Sequence, residues 1–107
     1  MKDSGSVDTM IWIYRRGNGQ ARVHPSPAHL AAQGRVTYRN LTRSAAEVVF
    51  DAATQWKPVP VPAGGDASTS VPAGVAGYLE YDVALDCDEE RRDYAEGGSR
   101  PAIIVDP

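Results

Sequence analysis

The chain has 107 residues, 42% hydrophobic and 23% charged, which is enough for one domain and excludes a disordered tail or a coiled coil. No apolar run approaches the ~20 residues of a membrane helix, and a single cysteine excludes a disulfide framework or a multi-cysteine zinc site. The net charge is −3, and His24 and His29 are the only histidines, so the composition leans away from an enzyme.

Residues 1–9 carry acids and small polar side chains and no apolar segment of a signal peptide. They are expected to form a disordered extension, followed by one domain over 10–107. As written, the chain is expected in the cytoplasm; a periplasmic or secreted protein that had lost its leader would read the same.

Met10–Tyr14 is a continuous apolar run that predicts a strand, closed by Gly17-Asn18-Gly19, where Asn-Gly signals a tight turn. Ala21–His24 resumes as a strand until Pro25 and Pro27 remove backbone donors. Arg35–Asn40 alternates, with Val36 and Tyr38 on one face and Thr37 and Arg39 on the other. Glu47–Asp51 predicts a short apolar strand. The Pro58-Val59-Pro60-Val61-Pro62 run lacks alternate N–H groups and is expected as an extended connector crossing an edge.

Ala67–Val71 alternates small polar and apolar residues. Gly77–Leu85 predicts the longest strand, with Leu79, Tyr81, Val83 and Leu85 on one face and Tyr78, Glu80 and Asp82 on the other. A polar stretch, Asp86–Arg100, leads to a final buried strand at Ala102–Val105. Only Ser44–Glu47 and Asp88–Ala95 have helical prospects, and both are short. Seven or eight strands with almost no helix predict an all-β, Greek-key sandwich.

The order of these pieces resembles the cupredoxin (plastocyanin-like) family. Val23-x-Pro25, then Gly34-Arg35-Val36-Thr37-Tyr38-Arg39-Asn40, then Glu47-Val48-Val49-Phe50 is similar to that family's N-terminal half. Ala73-Gly74, the Gly77–Tyr81 strand and Gly98–Val105 are similar to its C-terminal half. The likeness spans roughly residues 10–106 and implies a cupredoxin-like Greek-key sandwich.

Blue copper requires two His, one Cys and a weak axial ligand, usually Met. Against the family pattern the first His position falls on Ala46 and the Cys position on Val83, and no His follows His29. Met1 and Met10 lie at the wrong end. The resemblance therefore implies a member that lacks the copper ligands, with no cofactor, no metal site and no catalytic residue.

An alternative reading keeps metal handling, with Cu, Zn or Ca²⁺ held by His24, His29 and Cys87 or by the acidic segment Asp86–Glu96. His-x₄-His without two further ligands is not a site. In the acidic segment Arg91 and Arg92 offset the carboxylates, and the turn lacks the glycine of a Ca²⁺ loop.

Charge is unevenly spread. Residues 1–57 carry eight Lys and Arg against four Asp and Glu, whereas residues 58–107 carry three against ten. The simplest expectation is that the halves attract and mix on the surface; an arginine-rich patch for an acidic partner is the sharper one. Arg15, Arg16, Arg22, Arg39 and Arg43 with Tyr14, Tyr38 and Trp56 are the material for nucleic-acid binding, and the overall acidity argues against it.

The function expected is a non-catalytic interaction module with another protein as partner and no membrane. Its site is placed at the end formed by Gly17–Gly19, Ser44–Glu47 and Asp86–Glu96, with Asp86, Asp88, Glu89, Glu90, Arg91 and Arg92 as the candidate interaction loop.

Overall fold

A computed structural model describes residues 9–17, 19, 21–88, 91–94 and 100–106, with backbone only for 87, 88 and 91–94. The chain runs β1 (Thr9–Arg15), β2 (Ala21–His24), β3 (Ala28–Leu30), β4 (Arg35–Asn40), β5 (Ala46–Phe50), β6 (Val59–Val61), β7 (Asp66–Ser70), β8 (Gly77–Asp88), β9 (Arg91–Tyr94) and β10 (Ala102–Val105). Two mixed sheets result. The first has the order β2-β1-β4-β7; the second has β3-β10-β8-β5-β6, with β9 beside the far half of β8. Among the described residues there is no α-helix, only a 3₁₀ turn at Ala52–Thr54.

The all-β, sandwich-like expectation holds, with ten described strands instead of seven or eight. The three additional strands are short, and each exists by pairing along a longer or better-anchored neighbour. After Pro25 and Pro27 the chain leaves the first sheet and Ala28–Leu30 pairs parallel to β10 in the second. Val59–Val61 is not a bare connector but an edge strand on β5, in the register Val48↔Val59, Glu47↔Pro60 and Ala46↔Val61. Proline is tolerated there because an edge strand needs donors on one side only. The third, β9, replaces the polar loop expected after Leu85.

Alternation decides what is buried. Ile11 and Ile13 of β1, Val36 and Tyr38 of β4, Val48 and Phe50 of β5, and Tyr81, Val83 and Leu85 of β8 point between the sheets into one core. The Ser44–Glu47 stretch is not helical; Ala46 and Glu47 already belong to β5. Trp56 stacks on Phe50 with centroids 4.0 Å apart, and its indole N–H donates to Thr69 Oγ1 at 2.9 Å. It thereby ties the chain after β5 to β7 of the opposite sheet.

Tyr38 and Tyr81 meet edge to face across the core, with centroids 5.9 Å apart. Both hydroxyls are buried without a hydrogen-bond partner. Burial, above all, pushes both phenols well above their ordinary value near 10. In the unfolded chain they ionise near pH 10, while in the fold they stay protonated, so the folded state holds more protons above that pH. Stability is therefore complete below about pH 10 and falls as pH rises, by about 1.4 kcal/mol per pH unit for each tyrosine. Urea unfolding between about pH 8 and pH 11 should show this decline, and Tyr81→Phe should remove roughly half of the slope. At neutral pH the same substitution should leave stability within about 1 kcal/mol, because the lost hydroxyl had no partner.

Candidate binding site at one end of the sandwich

The parallel pairing of β1 with β4 sets Ile13 opposite Asn40, so both strands end on the same side of the molecule. The loop between β4 and β5 turns back there, and Ala46 pairs with Leu85 near the far end of β8. The Asp86 N–H donates to Ala45 O at 3.0 Å, and the Leu41 N–H donates to Ile13 O at 2.8 Å. The turn containing Gly17 and Gly19, the segment Ser44–Glu47 and the closing residues of β8 thus share one end of the sandwich. Tyr14, Arg15, Leu41, Thr42, Arg43 and Ser44 line an open groove of about 510 Å³ there.

One side chain organises this end. Asn40 alternates inward with Val36 and Tyr38 and is fully buried. Its Nδ2 donates to Ser44 O at 2.8 Å and to Val61 O at 3.3 Å. Its Oδ1 accepts from the Thr42 N–H at 2.9 Å and from the Thr42 hydroxyl at 2.7 Å. That hydroxyl also lies 3.0 Å from Ser44 O and accepts from the Ser44 N–H at 3.1 Å. The carboxamide uses both donors and its acceptor, so the loop is held without regular secondary structure. The adjoining turn closes through Gly65 N–H to Pro62 O at 3.0 Å, with Gly64 at φ +69, a conformation that favours glycine. Asn40-Leu41-Thr42 has the form of a glycosylation acceptor, and burial of its amide removes it from any modifying enzyme in the folded state.

The positions that the family resemblance gives to copper ligands are filled by core. Ala46 and Val83 are buried, Ala46 opposite Leu85 and Val83 opposite Val48. The two histidines are not brought together. His24 lies beside Trp12 on the outer face of the first sheet, and His29 beside Ile104 in the second; both are exposed. Ile104 pairs in turn with Tyr78, nine residues before Cys87 along β8. At ~3.3 Å per residue that places the Cys87 backbone about 30 Å from the His29 row. Among the described residues no three His, Cys, Asp or Glu side chains gather as a metal site.

The acidic segment is a hairpin, not an irregular loop. Asp86 and Asp88 close β8, while Arg91 and Arg92 open β9, in the register Asp86↔Arg92 and Asp88↔Arg91, with a bulge between the two pairs. This strand register stands where a helical prospect over 88–95 is expected from the sequence. Glu89, Glu90 and residues 95–99 lie outside the described residues.

The charged halves of the chain do not simply mix. Outward positions of the first sheet hold Arg22, Arg35 and Arg39 with Asp66, whereas those of β8 hold Glu80, Asp82 and Asp86. Arg100 sits among Asp51, Glu80 and Asp82 at 3.2–3.7 Å, an exposed cluster in which one cation meets three carboxylates. Of the aromatic residues offered for nucleic-acid binding, Tyr38 and Trp56 are core, while Tyr14 faces outward beside Trp12.

No protein-family model and no curated protein matches the chain. Among the described residues no helix is long and apolar enough to cross a membrane.

Replacing Asn40 tests how far the site depends on it. Asn40→Ala leaves the Thr42 amide without its acceptor and takes the carboxamide donor from Ser44 O and Val61 O, while the Thr42 hydroxyl keeps Ser44 O as its acceptor. The expected loss is about 3 kcal/mol, read from the urea midpoint at constant m-value. Asn40→Asp, which keeps the acceptor but buries a carboxylate against two carbonyls, should be no better.

Proposed function

We propose that this chain is a cupredoxin-like Greek-key domain whose metal position has become core, and that it acts as a non-catalytic module binding another protein. The single observation that carries this reading is the burial of Ala46 and Val83 on neighbouring strands, opposite Leu85 and Val48. An apolar, closed core at that point offers no donor atoms to a soft metal. Support for the fold assignment comes from the parallel pairs β1–β4 and β3–β10 and from the chain changing sheets between β2 and β3 at Pro25–Pro27. Support for binding at the loop end comes from three segments remote in sequence sharing one rigid end of the sandwich, a common arrangement for recognition.

The reading makes two linked predictions. Calorimetric titration of chelator-stripped protein with copper(II) should give no stoichiometric heat at roughly micromolar concentrations. A photo-crosslinking residue placed at 44 or 86 should capture the same protein from cells that make this chain, and one placed at 70, at the other end of β7, should not. Stoichiometric copper binding, or equal capture from all three positions, would remove the reading.

A further inference from the structure

An open strand edge is a template for another strand unless it is guarded. Among the described residues five strands pair on one side only: β2, β3, β6, β7 and β9. Four of them are guarded. β2 has four residues and stops at Pro25, β3 has three and follows Pro27, and β6 has three with Pro60 at its centre. β9 has four residues, of which Arg91, Arg92 and Asp93 are charged. The exception is β7. Asp66–Ser70 is the longest of the five, contains no proline, lysine or arginine, and follows β4 from Asp66 to Ser70 in unbroken register.

Two hydrogen bonds just beyond this pairing show which way its backbone groups point. The Asn40 N–H donates to Gly65 O at 2.8 Å, and the Val71 N–H donates to Gly34 O at 2.9 Å. Bonded and non-bonded pairs alternate along an antiparallel ladder. Stepping by two residues from either end therefore gives one result: Ala67 and Thr69 bond to Tyr38 and Val36. The N–H and C=O of Asp66, Ser68 and Ser70 face away from β4, and all three residues are exposed. Among the described residues no strand pairs with them.

An identical edge fits these groups without remainder. With two copies antiparallel and Ser68 opposite Ser68, Asp66 falls opposite Ser70 on both sides of the axis, so every outward donor meets an outward acceptor. Any other antiparallel register leaves an outward residue of each copy without a strand partner. Charge agrees with this register. The two Asp66 residues stand about 14 Å apart, beyond the ~8 Å Debye length, and each has Arg39 at 3.2 Å. Thr37 Oγ1 and Ser68 Oγ lie 2.7 Å apart, and the axis extends this hydroxyl row into the second copy. A foreign extended peptide is selected by pockets for its alternate side chains. The side chains of β7 are no larger than aspartate and threonine and wall no such pocket.

We propose that β7 pairs with β7 of a second copy, joining two four-stranded sheets into one of eight strands. This is independent of the preceding reading, since it uses neither the loop end nor the metal position. A five-residue edge spans ~17 Å and covers well under the ~800 Å² per partner of a standard interface. The dimer is accordingly weak, with a dissociation constant of roughly 0.1–1 mM.

The test uses the full chain. Sedimentation should show a monomer at ~10 μM and a growing dimer fraction by ~1 mM. Over the same range the amide proton resonances of 66, 68 and 70 should move as they gain acceptors, in a period of two that skips 67 and 69. Ser68→Pro removes an outward N–H without costing a bond to β4 and should weaken association at least tenfold. Ser68→Lys sets like charges opposite each other on the axis and should weaken it about fivefold. Tyr78→Ser, at an exposed aromatic residue of the other sheet, should leave it unchanged. If Ser68→Pro fails to fold, Ser68→Lys, which keeps every backbone group, decides the question.

Three results overturn the proposal: a monomer throughout at about 1 mM, an association unmoved by both Ser68 substitutions, or amide resonances at 66, 68 and 70 that do not change with concentration. None of them bears on copper binding or on the protein captured from 44 and 86. A crosslink from 70 to this chain itself differs in mass from that product, so the two readings fail separately.

Discussion

The buried carboxamide of Asn40 is the constraint on which the organised end of this sandwich depends. A polar side chain closed off from water is costly unless its hydrogen bonds are made, and here they are made to Thr42 and Ser44 of the following loop and to Val61 of β6. The Asn40 N–H itself donates to Gly65 O at 2.8 Å, so backbone and side chain together clamp β4, the following loop, β6 and the turn after it. Because β1 reaches the same end through Leu41 and Ile13, and β8 through Asp86 and Ala45, the clamp fixes elements of both sheets. A loop so held presents Leu41 and Arg43 to solvent in one geometry, which is what a recognition surface requires.

Behind this end the core is built in a line of aromatic rings. Trp56 lies on Phe50, Phe50 lies 5.3 Å from Tyr81 at a tilt, and Tyr81 meets Tyr38 of the opposite sheet. Each ring comes from a different segment, so the line connects β4, β5, β8 and the chain after β5. The two unpartnered phenols in its middle are a concession: their rings fill volume that two facing sheets leave, while their hydroxyls gain nothing there. Val83 and Ala46 complete the same interior.

Among the described residues the outer faces of the two sheets differ in charge because the sheets divide the sequence. Three of the four strands of the first sheet come from the basic half of the chain, whereas β6, β8, β9 and β10 of the second come from the acidic half. Exceptions such as Arg39 with Asp66 and Asp51 with Arg100 stitch the halves together locally without erasing the difference. Exposed pairs of this kind are worth ~0–1 kcal/mol, so the arrangement concerns the surface potential far more than stability.

Much of the fold was legible in the sequence. Alternation placed Arg35–Asn40 to the residue, the stop at Pro25 placed Ala21–His24, and the apolar run Ala102–Val105 placed the last strand. Alternation also put Leu79, Tyr81, Val83 and Leu85 on one face of the longest strand. What lay beyond it were elements whose stability is not local. β3, β6 and β9 have three or four residues each and exist because a neighbouring strand supplies the other half of their hydrogen bonds. The hairpin in particular reads as a solvated acidic loop until Arg91 and Arg92 are set across from Asp88 and Asp86.

The candidate site was partly legible for the same reason. Composition showed that few residues could act as ligands or catalysts, and the sequence alone determined that Ala46 and Val83 are not donors. Only the tertiary structure decided that Tyr14 and Leu41 line one groove, that His24 and His29 lie in different sheets, and that Arg22, Arg35 and Arg39 stand on one sheet while Glu80 and Asp82 stand on the other. Alternation says which side of a strand a residue takes, but which strands lie next to it is set by non-local pairing. The segments that share one face or one end here are tens of residues apart in the chain.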